Sequence, residues 1–230
     1  MPMTPIASPA IVPTPSHPDS AGATALQLIE EHGADGTLIG RTPMVNGVPH
    51  GEVARYAANG APLMTLQYRN GQRHGEMQSF DDEGDLVRRA EYRDDLQHGV
   101  TMLYAHGQPI SRQRFVAGKQ EGETLCYAPD GQINARLDYR AGKLDGRACY
   151  YDEGVLIREM SYRAGVPHGA YRELDSAGRT TQTATYVAGV LDGAVMRFGP
   201  DGKVRETRMY RKGKLVAPLP AASFDRRTGS

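Results

Sequence analysis

The sequence predicts an all-β fold, an elongated single-layer antiparallel β-meander of about seven tandem β-hairpins. Two observations support it: a repeat of 23 or 24 residues, and two short strand-like runs set between glycines in each repeat. The repeats, numbered 1 to 7 here, open at Gly47, Gly71, Asp95, Gly118, Gly142, Gly165 and Gly189. Since each unit of such an array packs mainly on its neighbours, the period itself predicts the architecture.

Each repeat has a second glycine four residues after its first position, and the run that follows ends five positions later on a bulky residue. These residues are Tyr56, Phe80, Tyr104, Tyr127, Tyr151, Leu174 and Phe198. A third glycine, as in Asn59-Gly60, leads into a second run that closes eight residues later on an aromatic. These aromatics are Tyr68, Tyr92, Phe115, Tyr139, Tyr162, Tyr186 and Tyr210. Because glycine tolerates the positive φ of a tight reversal, each repeat is predicted to be a hairpin. The sequence does not decide the type of its turn.

The ends of the chain differ from the repeats. Residues 1–23 are predicted to be a disordered Pro-rich leader, 24–46 an N-terminal cap or partial repeat, 47–212 the seven repeats, and 213–230 a C-terminal partial repeat and tail. Asp35-Gly36 and the residues after it resemble a turn and second strand. For residues 24–32 the possible capping box of Thr24 and Gln27 favours a short helix, and the strand of a degenerate repeat is the alternative.

Segments such as Tyr68–Glu76 and Tyr139–Gly146 carry a family resemblance. The repeat resembles the bacterial variant of the MORN repeat, and its alternation with a hairpin turn resembles the YwqK-like proteins, which are classed as antitoxins or immunity proteins. The resemblance covers about 165 residues, the length of the repeat region. Asp95, in place of a first glycine, and Leu174, in place of an aromatic, depart from the pattern and are expected to be local irregularities.

Composition argues against several classes of partner. Lys and Arg together number 27, as do Asp and Glu, and the isoelectric point is about 7.1. A neutral chain has no global basic field to hold nucleic acid through its phosphates, so no nucleic-acid partner is expected. No apolar run is long enough to span a bilayer, and the leader has no secretory pattern, so a cytoplasmic protein is expected, with a membrane partner disfavoured.

Metal, cofactor and catalytic sites are not expected either. A polar column precedes the second glycine of each repeat: His50, His74, His98, Glu121, Asp145, His168 and Asp192. Equivalent positions in neighbouring hairpins lie about 10 Å apart, too far to share a metal ion, so these side chains are predicted to hydrogen-bond loop backbone. Cys126 and Cys149 should point to opposite faces and form no disulfide. No repeat contains a nucleophile with a base, so the chain is predicted not to be an enzyme.

Partner-binding residues are expected where the repeats differ. Arg89, Arg112 and Arg136 occupy one slot, five residues after the third glycine, in three consecutive repeats, with Arg88 and Arg114 beside them. The alternative is a solvated face in which these arginines pair with Glu91, Asp138 and Glu159 across strands. Tyr150 and Tyr171 lie outside the aromatic columns, and Tyr and Arg are the residues that most often anchor protein interfaces.

The expected function is that of a non-enzymatic scaffold that binds another protein. The family resemblance implies that this partner is a toxin or effector, held inactive by steric blockade. One alternative is a scaffold that docks on anionic lipid head groups, which the neutral charge weakens. A second is a spacer or adaptor in a secretion or cytoskeletal assembly, which exposed terminal strands would favour.

Overall fold

A computed structural model describes residues 25–217, which form β-strands and turns and contain no helix. All pairings between adjacent strands in this range are antiparallel. The chain forms two compact units, Met1–Glu121 (unit 1) and Gly122–Ser230 (unit 2). The predicted all-β class and the tandem antiparallel hairpins are therefore confirmed within each unit.

Unit 1 is an open antiparallel sheet in which the long strands pair in chain order. Two of its short strands, Val48–Pro49 and Leu96–Gln97, pair with the same strand as the one that follows them. Its strands are β1 Leu26–His32, β2 Leu38–Val45, β3 Val48–Pro49, β4 Gly51–Tyr56, β5 Pro62–Arg69, β6 Gln72–Phe80, β7 Leu86–Arg93, β8 Leu96–Gln97, β9 Gly99–Ala105, β10 Gln108–Val116 and β11 Lys119–Gln120.

Unit 2 repeats the same arrangement. Its strands are β12 Gly122–Tyr127, β13 Ile133–Arg140, β14 Lys143–Asp152, β15 Val155–Arg163, β16 Val166–Leu174, β17 Thr180–Val187, β18 Val190–Leu191, β19 Gly193–Phe198, β20 Val204–Arg211 and β21 Lys214–Ala217.

The second glycine of each repeat has a positive φ and lies at an irregularity of the strand pairing. In repeat 5, Leu137 pairs with Ala148 and Tyr139 with Leu144, so Asp138 lies opposite three residues centred on Gly146. Gly146 has a φ of +128°, and a Cβ there would lie 2.7 Å from Asp138 Cβ. Positive φ and close approach of the neighbouring strand together exclude a side chain at this position.

The hairpin turns are of two kinds. His106-Gly107 and Glu153-Gly154 have positive φ at both residues, as two-residue reversals require. The other five repeats use a longer loop in which only the glycine has positive φ, and the residue before it often accepts a backbone N–H. Asn59 Oδ1, for example, accepts from Ala61 N at 3.0 Å. The third glycine is thus required in both kinds of turn, whereas the turn type varies.

The two aromatic columns lie on opposite faces of the sheet. Gly51 pairs with Tyr68, so the second column shares the face of the second glycines, and we call this the tyrosine face of each unit. The first column lies an odd number of residues from those glycines, so strand alternation places Tyr56 and its equivalents on the other side, the reverse face. Residues buried between the strands are mostly small, and Ala90 and Ala148 have no exposed surface.

The favoured helix at residues 24–32 is wrong, because Leu26–His32 is strand β1. Gln27 pairs with Met44, the same register as Gly51 with Tyr68, and the register shift at Glu31 and His32 matches the one at Arg55 and Tyr56. The segment is therefore the first strand of a degenerate hairpin. Pairing along the whole strand outweighs the local capping signal.

The two departures from the repeat keep its geometry, contrary to the expected irregularity. Asp95 has a φ of 66° after Asp94 at 50°, so two aspartates form the turn usually made with glycine. Its carboxylate accepts from Arg73 N at 3.0 Å and Arg73 Nε at 3.2 Å. Leu174 pairs with Thr180 in the register of the other repeats. The leader at 1–23, Thr24 and the tail beyond Ala217 lie outside the described residues.

Candidate functional site

Tyr150 and Tyr171, singled out from the sequence, both lie on the tyrosine face of unit 2. Tyr150 is four residues after Gly146 and Tyr171 two residues after Gly169, even separations that give them the orientation of the tyrosine column. They join three members of that column, and we call the five residues the tyrosine patch: Tyr139, Tyr150, Tyr162, Tyr171 and Tyr186. All five are half-buried, so each ring offers surface to solvent.

Arg158 is a further member of this surface, and the sequence analysis missed it. It pairs directly with Tyr150 on the adjacent strand, and its Cζ lies 4.2 Å from the Tyr150 ring centroid. This is a cation–π contact, in which the guanidinium lies over the electron-rich face of the ring. The signal in the sequence was its position four residues after the third glycine, on the tyrosine face.

A second contact orders Tyr171. Its ring meets that of Tyr186 edge-to-face, with centroids 6.1 Å apart, and its hydroxyl donates to the Glu173 carboxylate. Burial, followed by this hydrogen bond, raises the pKa of Tyr171 above the ordinary tyrosine value. Burial likewise raises the pKa of Tyr139 and Tyr162. The phenols of Tyr139 and Tyr162 therefore remain protonated and can donate hydrogen bonds to a bound partner, whereas the O–H of Tyr171 is donated to Glu173.

The arginines identified from the sequence are divided between the faces. In unit 1, Arg89 and Arg112 are exposed on the reverse face and flank Met102, to which both are paired on adjacent strands. Arg114 lies on the same face, because it is two residues from Arg112. Arg88 lies on the tyrosine face, where its guanidinium donates to Gln97 at 3.2 Å.

The expected ion-pair partners of these arginines are wrong. Arg89 pairs with Glu76 at 3.7 Å, and Arg136, on the reverse face of unit 2, pairs with Glu123 at 3.3 Å. Glu159, expected as a partner, instead contacts Arg147 and Arg172. The cause is the register, which brings the residue after the second glycine, rather than the assumed carboxylates, within reach of the arginine slot.

Four members of the polar column before the second glycine hydrogen-bond loop backbone as predicted, but in the next repeat, whereas His74 contacts the Asp94 side chain. Asp145 Oδ2 accepts from Ala164 N at 3.0 Å, and His168 Nδ1 accepts from Ala188 N at 3.4 Å. His50 and Asp192 make equivalent bonds to Asn70 and Lys212. These side chains therefore link successive hairpins. Within residues 25–217, no group of three His, Cys, Asp or Glu side chains is placed to hold a metal ion.

The two cysteines lie as predicted. Cys126 pairs with Ala135, on the tyrosine face, whereas Cys149 pairs with Arg136, on the reverse face, and neither forms a disulfide within residues 25–217. No helix among residues 25–217 has the length and apolar character needed to cross a membrane.

Residues 73–94 match the family described as the MORN repeat variant. The matched segment begins at Arg73 on β6, includes the turn at Gly84 and ends at Asp94, so it is one hairpin of unit 1. MORN repeats are in general scaffolds that bind proteins or lipids. No curated protein matches the sequence.

Proposed function

We propose that this chain, with a MORN repeat variant at residues 73–94, is a non-enzymatic scaffold that binds a protein toxin or effector and holds it inactive. The tyrosine patch with Arg158 is the observation that carries this proposal. Tyr and Arg dominate the energetic centres of protein interfaces, because they combine large apolar area with hydrogen-bonding groups.

The geometry of the patch supports a role in binding because its side chains are already ordered. Arg158 lies over Tyr150, and Tyr171 is oriented both by Tyr186 and by Glu173. Side chains held in one conformation lose less entropy when a partner binds, so more of the contact energy appears as affinity. The patch also combines a positive and a negative group, Arg158 and Glu173, at defined positions.

The mode of inhibition in this proposal is steric. A sheet whose strands are hydrogen-bonded to their neighbours presents a rigid surface. Such a surface would cover the active cleft of the toxin without inserting a segment into it. The toxin identity rests on the sequence resemblance to immunity proteins, as does a cytoplasmic location, and the neutral net charge argues against nucleic acid as the partner.

The experiment mixes the purified chain with the product of the neighbouring gene and measures complex formation by size-exclusion chromatography and calorimetry. A stoichiometric complex is expected, weakened at least about tenfold by Tyr150→Ala or Tyr171→Ala. Tyr104→Ala is the matched control, since it removes a tyrosine from the reverse face of unit 1. A failure to form the complex, or equal losses in all three variants, would contradict the proposal.

A second candidate is an anionic lipid surface, favoured by the exposed guanidinium groups of Arg89, Arg112 and Arg114 on the reverse face of unit 1. Flotation with vesicles containing an acidic phospholipid tests it. Under the main proposal the protein stays in solution. Flotation that is lost in the Arg112→Ala/Arg114→Ala variant would favour the lipid function instead.

A further inference from the structure

Repeats 6 and 7 differ from the others at the position directly after the second glycine. There they have the small residues Ala170 and Ala194. The other five repeats have longer side chains at this position: Glu52, Glu76, Val100, Glu123 and Arg147. Because the position lies on the reverse face, away from the tyrosine column, the folding of the hairpin does not require alanine there.

The consequence is a trough on the reverse face of unit 2, with a volume of about 460 Å³. Its floor consists of Ala170, Thr183, Thr185 and Ala194, and Met196 lies at one side. Ala170 pairs with Thr185, and Thr183 with Met196, so the trough runs across three neighbouring strands. A bulky apolar side chain can enter it because no long side chain fills this space.

The opposite side of the trough carries two arginines that share one carboxylate. The Glu159 carboxylate contacts two guanidinium groups, those of Arg147 and Arg172, the latter at 3.0 Å. Glu159 is mostly buried, with 19% of its side chain exposed, whereas 43% of the Arg172 side chain is exposed. Because Glu159 is shared and Arg172 is partly exposed, the Arg172 guanidinium keeps N–H donors that an anionic group can reach.

A polar atom at the floor lacks a partner. Thr183 Oγ1 is buried and, within the described part of the chain, has no hydrogen-bond partner. A buried hydroxyl without a partner is destabilising, and a water or a polar group of a bound molecule would satisfy it. The atom lies between the apolar floor and the charged side.

We infer that this trough binds a segment of a partner protein in which a bulky apolar side chain stands next to a carboxylate. The apolar side chain fills the space above Ala170 and Ala194, the carboxylate meets Arg172, and a polar group of the segment pairs with the Thr183 hydroxyl. The trough and the tyrosine patch lie on opposite faces of unit 2. This site therefore exists independently of the proposed function.

The test uses the intact chain with ¹³C-labelled methionine and alanine methyl groups, titrated with N-acetyl-Asp-Phe-amide and followed by NMR. N-acetyl-Lys-Phe-amide is the charge-reversed control. The Met196 and Ala194 methyl signals are expected to shift with the Asp peptide at about 1–10 mM, the affinity range expected for a dipeptide. No shift, or equal shifts with both peptides, would overturn the inference.

Two variants locate the site. Ala170→Val/Ala194→Val fills the trough without adding charge, in a position where Val100 is accommodated, and is expected to abolish the shifts. Thr183→Val is expected to weaken binding about fivefold while raising the melting temperature, since it removes a buried unpaired hydroxyl. Thr65→Val, at the same repeat position in unit 1, is the control and should leave binding unchanged.

A different occupant would also be visible. If a second copy of the chain fills the trough, the methyl shifts will depend on protein concentration, and sedimentation will show a dimer that the double valine variant abolishes. That result would overturn the inference of a heterologous partner. A monomer whose Met196 signal responds to the Asp peptide alone supports it.

Discussion

Arg158 lies over the ring of Tyr150, with its Cζ 4.2 Å from the ring centroid, and the two residues are direct cross-strand neighbours. Cross-strand pairs are a main source of sheet stability, and this pair lies in the surface proposed to bind the partner. The contact therefore has a measurable energy in the free protein, apart from any role in binding.

A double-mutant cycle of Tyr150→Leu and Arg158→Met is expected to give a coupling free energy of about 0.5–1 kcal/mol, the size of a cation–π contact at an exposed site. Urea unfolding of the four proteins measures it. The cycle of Tyr150→Leu with Arg163→Met serves as the control, since Arg163 is an exposed arginine at the end of β15. A coupling of zero in the first cycle would contradict the contact.

The second glycine of a repeat is expected to tolerate alanine according to the space at each site. Gly146→Ala should destabilise the protein by about 2–4 kcal/mol, because it combines positive φ with a clash against Asp138. Gly193→Ala, at the same repeat position with a φ of 115°, meets only Thr185 Cβ at 3.8 Å and should cost about 1 kcal/mol. If thermal unfolding shows that the two variants lose equal stability, the close approach of Asp138 to Gly146 does not contribute to the cost of alanine.

Replacing His168 by aspartate is expected to stabilise the protein by up to about 1 kcal/mol. Asp145 and Asp192 accept the turn N–H of the next repeat at 3.0 and 3.4 Å, and His168 accepts the equivalent N–H at 3.4 Å. A carboxylate should make the stronger bond because its negative charge strengthens the hydrogen bond. The reciprocal variant Asp145→His should lower stability. Chemical unfolding near neutral pH measures both, and changes of the same sign would count against the proposed link between repeats.

Asp175 is expected to make the stability of the folded protein depend on pH in the acidic range. Its carboxylate accepts from the backbone N–H groups of Arg179 at 2.9 Å and Ala177 at 3.0 Å. The Arg179 bond is the main cause that lowers the pKa of Asp175 below its ordinary 3.8. Because the folded pKa is the lower one, the stabilisation is complete above the unfolded value and is lost as the pH falls through the folded pKa.

The melting temperatures of the wild type and Asp175→Ala should therefore differ by a constant amount from pH 5 to pH 7 and converge below pH 3.8. Calorimetric scans across this range measure the difference, and the plateau at higher pH is the internal control. A difference that persists unchanged in acid would show that the ionised carboxylate does not provide the stabilisation.

The hairpins and strand ends could be predicted because they depend on local chemistry. Each third glycine supplies the positive φ of a turn, and the residues between glycines are too few for a helix. The partner of Arg136 could not be predicted, because it depends on the register of the hairpin formed by β12 and β13. That register shifts between Cys126 and Tyr127 and places Glu123 diagonally opposite Arg136.

The strand at Leu26–His32 also could not be predicted from the local sequence. Its residues include a capping pattern that favours helix, and pairing with β2 decided otherwise. The trough depends on the fold as well, since Ala170 and Ala194 are 24 residues apart in the sequence and lie on the two strands that flank β17. Neither residue is distinctive alone, and only the stacking of hairpins makes a continuous floor from them.

The sequence by itself determined the all-β class, the repeat boundaries and the opposite orientation of Cys126 and Cys149, because glycine conformation and strand alternation act within a few residues. Only the tertiary structure decided that the two aromatic columns lie on different faces, that Tyr150 meets Arg158, and that repeats 6 and 7 leave a trough. These features depend on the register between strands, which is set by bulges and pairing energies distributed over whole hairpins.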